Sequence, residues 1–546
     1  MMRDLTGLSF ALVLAFSHGQ KSAVAHPAHA KPVNYPYVVG FERFHSSLDD
    51  EEYLAQGGMI LLNELNCVAC HEPPGHLKSQ LDGVEATNLA GVATRLSDVD
   101  LEIMIRNPRF LKKDTVMPSL FAGPDRDLGE VKALKQFLAT FTQELPDYPV
   151  GDIERGRTLY HRVGCAACHA PEVGYRPPGI PENAEIEMAG LPSVPMNLAD
   201  LYDLDSLTHF LLKPNEHRPS GRMPEFQLTV EEAADLSAYL KAGPDLELPE
   251  NITEALTESD SPALDETLVA HGRDLFVAKS CHACHSMPDG EGEPVRYAST
   301  PLEELSATDG RACLSDRPVG KGVPFYGLDE VQKRAITAAL VRLSAREPLT
   351  GPEEIDWRMK SLNCYACHER DGVGGPETAR EVYFGFESKK AIELGRWGHL
   401  PPDLTGVEER LKPNWIQGML SGDPEIPKAR TYLTARMPRF AQERVEPLVK
   451  AFTQPPLKSP TSLSHAETPG FLEANCRSCH GVGMKPSAGL PGINLQLSPE
   501  RLRFTYFRSL LEDPHATRPG IPMAPMSGEE VKTLWNYLQK YSLENE

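Results

Sequence analysis

Asn66-Cys67-Val68-Ala69-Cys70-His71 is the stretch from which the rest of this chain can be read, because its spacing returns four more times. Cys165-Ala166-Ala167-Cys168-His169, Cys281-His282-Ala283-Cys284-His285, Cys364-Tyr365-Ala366-Cys367-His368 and Cys476-Arg477-Ser478-Cys479-His480 each set two thiols three residues apart with a histidine directly after them. Ten of the eleven cysteines are used in this way, and only Cys313 is left over. With this composition, chance supplies about 0.01 such matches in the whole chain. A zinc site takes Cys-x-x-Cys pairs in twos with no fixed histidine after them, and a redox dithiol occurs once beside a βαβ pattern; neither describes this sequence.

The pattern is the attachment signature of c-type haem. Two thiols add to the porphyrin vinyl groups and the histidine takes one axial position on the iron. The sequence therefore predicts five covalently bound haem c groups, held by Cys67, Cys70, Cys165, Cys168, Cys281, Cys284, Cys364, Cys367, Cys476 and Cys479. His71, His169, His285, His368 and His480 are the expected iron ligands.

The first cysteines of successive motifs lie 98, 116, 83 and 112 positions apart, a repeat of about one hundred residues. A helix pattern with a glycine precedes the motif in Gly58-Met59-Ile60-Leu61-Leu62, Gly156-Arg157-Thr158-Leu159-Tyr160 and Gly272-Arg273-Asp274-Leu275-Phe276. Gly470-Phe471-Leu472 is a shorter version, and the fourth unit offers Ile355-Asp356-Trp357 without the glycine. A second apolar-periodic stretch closes each unit: Val131 to Phe141, Glu231 to Leu240, Val331 to Leu343, Glu443 to Phe452 and Glu529 to Tyr541. Glycine on the first helix lets an aromatic on the last, such as Tyr239 or Tyr537, come close.

A helix pair clamped over a haem in this way resembles the small class I cytochrome c fold, once per repeat. The resemblance implies a mainly α chain of five tandem cytochrome c-like domains with proline-rich loops packed around covalent haems. The expected segments are a signal peptide over 1–25, domains over 40–146 and 147–245, a proline- and acid-rich linker over 246–262, an atypical third domain over 263–348, and domains over 349–456 and 460–546. Gly40-Phe41-Glu42-Arg43-Phe44-His45, followed by Leu61-Leu62-Asn63-Glu64-Leu65-Asn66, is also similar to multihaem cytochromes of planctomycete type.

In that family a methionine near the closing helix, often followed by proline, fills the second axial position and gives a saturated electron-transfer centre. Val116-Met117-Pro118, Arg222-Met223-Pro224 and Arg436-Met437-Pro438 fit, each after an X-Pro step at Asn107-Pro108, Lys213-Pro214 or Asp423-Pro424. The resemblance thus implies Met117, Met223 and Met437 as ligands. In the fifth unit Met523 and Met526 compete after Asp513-Pro514, and spacing from Glu529-Glu530 favours Met523.

The third unit breaks the rule, since Lys321-Gly322-Val323-Pro324 puts Val323 at the ligand position. Its iron is expected to be open, or filled by Cys313, Lys321 or a residue from another unit. Pro402 in Pro402-Asp403-Leu404 matches the family's Pro-x-Leu pattern for the carbonyl that orients the proximal histidine, with Pro192 and Pro491 as looser candidates. His76, His209, His217 and His399 read as surface or loop residues.

Arg3, the apolar run from Leu5 to Phe16 and Ala23-Val24-Ala25 predict an export signal, and with it a periplasmic protein. No later stretch has eighteen consecutive apolar residues, so no transmembrane span is expected. A formal charge of −22 argues against a nucleic-acid partner and suits docking of a basic redox protein, donor or acceptor. The leading expectation is electron transfer between periplasmic redox partners by iron cycling between ferric and ferrous. The alternative is a multihaem oxidoreductase whose open third haem acts on peroxide, a nitrogen oxide or a sulfur species.

Overall fold

The computed structural model describes residues 27, 33–46, 50–121, 127–178, 191–196, 201–242, 264–287, 299–305, 312–320, 322–384, 396–427, 429–430, 432–453, 470–483, 487, 493–521 and 523–543. The signal stretch 1–25, the linker 246–262, Lys321 and Pro491 lie outside the described residues.

The chain is mainly helical. Among the described residues thirteen helices have nine residues or more: α1 Glu51–Glu64, α2 Asp98–Arg106, α3 Leu128–Leu138, α4 Ile153–Arg162, α5 Leu204–Leu212, α6 Val230–Lys241, α7 Glu266–Ala278, α8 Glu330–Arg342, α9 Gly351–Ser361, α10 Pro413–Ser421, α11 Gln442–Thr453, α12 Phe504–Glu512 and α13 Gly528–Leu543. Their starts are written locally. Asp50, Ser97, Asp127, Asp152, Asp203 and Asp265 each accept from a backbone N–H of the first turn. Thr229 with Glu232, and Asp329 with Gln332, form reciprocal capping boxes. The sole β-ladder among the described residues pairs Glu369–Arg370 with Val373–Gly374.

Which helix closes on which is not the order of the sequence. Within the second unit α4 packs on α6, within the fourth α9 packs on α11, and in the fifth α12 packs on α13. The first and third units exchange partners: α1 packs on α8 and α7 packs on α3. One core joins Met59, Ile60, Leu61 and Leu62 of α1 to Ala335, Ile336 and Ala339 of α8. Another joins Leu134 and Phe137 of α3 to Leu275 and Phe276 of α7, the two phenyl rings meeting edge-on with centroids 5.7 Å apart. Each such buried Leu or Phe contributes about 1.5–3 kcal/mol. The boundaries 40–146 and 263–348 therefore do not enclose self-contained packing units.

The glycines that precede the motifs explain the closeness of these pairs. A Cβ on Gly156 would stand 1.9 Å from the Asp235 carbonyl oxygen and 2.9 Å from the Tyr239 Cβ, so the aromatic expected opposite this glycine is there. The other two glycines meet the exchanged partners. A Cβ on Gly58 would reach 2.0 Å from Ala335 O, and one on Gly272 would reach 2.1 Å from Ala133 O.

Candidate haem-binding sites

Four of the motifs fold as one tight turn after their first helix, and in the fifth Cys476 ends the π-helical stretch Leu472–Cys476. Cys67–Ala69, Cys281–Ala283 and Cys364–Ala366 are 3-10 turns, and Cys165–Cys168 is a single α turn. The residue before the first cysteine is left-handed at Asn66, Ser280 and Asn363, with φ of 58°, 62° and 55°. That bend stops the helix and turns both thiols and the histidine into one pocket. None of the eleven cysteines forms a disulfide. Among the described residues no group of three His, Cys, Asp or Glu converges as a metal cage.

All five motif histidines donate from Nδ1 to a backbone carbonyl: His71 to Thr300 at 2.8 Å, His169 to Val194 at 2.9 Å, His285 to Thr87 at 2.7 Å, His368 to Pro402 at 2.7 Å and His480 to Ile493 at 2.8 Å. This fixes the tautomer that leaves Nε2 with a lone pair to offer a metal. Burial holds His169 down to about 4 and pulls His285, His368 and His480 in the same direction, as suits neutral imidazole ligands. Burial also pushes the thiols of Cys67, Cys165, Cys281 and Cys364 up to about 12. Such positions favour a neutral sulfur, which a thioether is and a metal-bound thiolate is not.

The residues of the carbonyls confirm one reading and extend it. Pro402 holds His368, whereas the expected Pro192 and Pro491 give way to Val194 and Ile493. Four of the carbonyls, on Thr87, Thr300, Pro402 and Ile493, lie two residues before a leucine, and the fifth, Val194, two before Met196. That spacing is the signal the sequence offered for Thr87 and Thr300. What it did not show is the crossing: His71 is held by residue 300 and His285 by residue 87.

Cationic groups suited to haem carboxylates sit beside these pockets. Arg410, Arg430, Arg501 and Arg518 crowd together between the fourth and fifth motifs. Burial first, then Arg518, Arg430 and Arg410, hold Arg501 down to about 10. Arg501 acts on His480 and Arg430 on His368. A second group, Arg95, Lys112 and Arg218, lies between His169 and the segment that holds His285. Lys112 already pairs with Asp114, and clustered cations of this kind also suit haem carboxylates, so the pockets fit haem on both counts.

The methionines are placed less uniformly. Met223 packs in the core that holds Cys165, and Met523 and Met526 both pack in the core that holds Cys476. Met437 is 36% exposed, on a loop whose Phe440 packs in the core with Cys364. Met117 sits on a loop that runs between two cores: Val116 before it packs with Cys67, and Leu120 and Phe121 after it pack with Cys281. Met287, two residues past His285, joins that same core. Cys313 acts electrostatically on Cys67, and Cys70 on Cys313, so the leftover thiol belongs to the first motif's pocket rather than the third's.

His209 and His217 are buried, contrary to a surface reading. Their rings meet at 5.2 Å, Tyr148 bonds His209 at 2.6 Å, and Arg95 bonds His217 at 3.1 Å. His76 instead bonds the Arg346 carbonyl at an exposed position.

Residues 153–243 match the family model described as Cytochrome c. This stretch is similar to a cytochrome c domain. It runs from the first turn of α4 to just past α6, so the match and the packing unit share their bounds. The domain supports a c-type cytochrome, with covalently bound haem c, iron and electron transfer. No curated protein and no solved structure matches the chain.

Proposed function

We propose that the chain is a pentahaem c-type cytochrome, of the multihaem kind its first unit resembles, that carries electrons between redox proteins in the periplasm. The observation that carries this reading is the repetition at all five motifs of one histidine device, Nδ1 on a backbone carbonyl beside two unpaired cysteines. Bound haem iron supplies the one-electron step; the protein sets its potential and the spacing of neighbours.

Contacts between motif neighbourhoods support a spatial order of first, third, second, fourth, fifth. Asn66 Nδ2 donates to Cys284 Sγ at 3.2 Å, joining first to third. Asn88, next to the carbonyl that holds His285, takes the His217 carbonyl at 2.9 Å, and Arg95, Lys112 and Arg218 fill the space toward His169. Asn363 Nδ2 donates to Cys168 Sγ at 3.3 Å, joining second to fourth. Leu411 bridges Leu502 and the four arginines join fourth to fifth. A row of this kind suits conduction from one end to the other.

The acidic surface suits a basic docking partner. A pyridine haemochrome count of five per chain, full reduction by a mild donor, and a rate of reduction by a basic cytochrome that falls with added salt are the expected results. A count well below five refutes the haem reading, and a rate indifferent to salt refutes the basic partner. Among the described residues no helix is long and apolar enough to cross a membrane.

A further inference from the structure

We infer that the iron held by His71, and not the one held by His285, is the centre without a methionine, open to a small uncharged ligand, and that Met117 completes the iron of His285. The inference rests on the haem reading above and moves the irregular centre from the third motif to the first.

Three independent contacts carry it. The carbonyls on the proximal side are crossed, Thr300 on His71 and Thr87 on His285. The closing helices are crossed in the same sense, α8 over α1 and α3 over α7. The loops that enter those closing helices follow them. Leu101 and Ile105 before Met117, and Leu120 and Phe121 after it, pack with Cys281, while Val116 alone of this stretch reaches the core of Cys67. Leu314 and Tyr326, on either side of Val323, pack with Cys67.

Register then fixes which residue stands at the ligand position. Ser119 and Phe325 pair through two backbone hydrogen bonds of 3.0 Å, and each lies two residues past Met117 or Val323. Glu225 and Arg439 pair in the same way at 2.8 Å, each two residues past Met223 or Met437. The two loop pairs are thus equivalent, and one of their four ligand positions carries valine. Valine has no atom to give to iron. The core that holds Cys67 supplies Leu302, Leu305, Leu314 and Tyr326, and the Cys313 thiol lies in the same neighbourhood. The nine-residue helix that flanks the loop elsewhere (α2, α5, α10 and α12) has no counterpart between Leu302–Glu304 and α8 among the described residues. Such a site takes a neutral diatomic on ferrous iron or a peroxide on ferric iron.

The test locates the open iron on the intact holoprotein. Hydrogen peroxide at low ratio destroys haem where iron is accessible; after tryptic digestion each of the five haem peptides is weighed by mass spectrometry. The expected result is loss of haem from the Cys67–His71 peptide ahead of the other four, with a single carbon monoxide bound per reduced chain. Val323→Met should protect that peptide, and Met117→Ala should newly expose the Cys281–His285 peptide. Bleaching led by Cys281–His285, equal bleaching of all five, or a thiolate-ligated low-spin spectrum that Cys313→Ser abolishes would each overturn the inference. Five haem peptides with the wrong one bleached would leave the electron-transfer reading intact, whereas fewer than five would strike that reading itself.

Discussion

Replacing Gly272 with alanine puts a methyl group where the helix of the third motif touches the closing helix of the first unit. An ideal Cβ there stands 2.1 Å from Ala133 O, 2.6 Å from Ala133 C and 2.7 Å from the Phe137 Cβ. Two of the three atoms are backbone, so no rotamer change relieves the contact and α3 must move off α7 by about 1 Å. Overpacking of this kind costs about 1–3 kcal/mol. At about 2 kcal/mol the local opening equilibrium rises about thirtyfold. Hydrogen exchange of the holoprotein, read peptide by peptide, should show that acceleration in Leu128–Leu138 and in the C-terminal half of Glu266–Ala278. The amides of α1 and α8 should keep wild-type rates. Acceleration in Glu330–Arg342 with Leu128–Leu138 unchanged would mean that the third motif is closed by its own unit, and the exchanged pairing would fall.

Glu42 sits between Gln332, 3.3 Å from Oε1, and Tyr35, 3.4 Å from Oε2, and is pushed up from 4.5 to about 7, by burial first and by Asp329 second. Between those values the folded chain keeps a proton that the unfolded chain releases, so stability falls as pH rises through that window, by about 1–3 kcal/mol in all. Denaturant melts of Glu42→Gln between pH 5 and 8 should lose that slope; an unchanged slope would refute the assignment. Glu64, 4% exposed, accepts from Arg222 at 3.2 Å and Arg444 at 3.3 Å and ties α1 to the second and fourth units. Glu64→Gln should cost about 2–4 kcal/mol by leaving two guanidiniums short of a counter-charge, visible as a lowered thermal midpoint. Met223→Ala should remove the weak sulfur-to-iron absorption of one haem and lower its potential in a redox titration, while an unchanged spectrum would take Met223 out of the ligand set.

The motifs, the helices and most helix starts were legible in the sequence because each is a local matter of spacing, capping and period. Glu231-Glu232 did mark a helix start, and Gly156 did face Tyr239. The exchange between first and third units was not legible, because it changes no local pattern. Gly58 needs a small-residue ridge and finds Ala335 and Ala339; Gly272 finds Ala133 and Phe137; either glycine-bearing helix satisfies the same periodicity whichever partner it meets. His209 and His217 were misjudged for a related reason. A polar side chain reads as exposed until its partner, here the buried Arg95 or the half-buried Tyr148, is known to lie beside it. The carbonyls of Thr87 and Thr300 were marked only by the leucine two residues on, and nothing local told which histidine each would hold.

The crossing of His71 to Thr300 also sets a timetable. The two residues are 229 positions apart, so at about 5–20 residues per second the ribosome delivers the lid of the first motif about 10–50 s after the motif itself. The lid of the third motif, around Thr87, is made long before its histidine. Birth of this protein is therefore asymmetric: the histidine of the first motif waits for the carbonyl that holds it, and that of the third arrives to find its carbonyl already made.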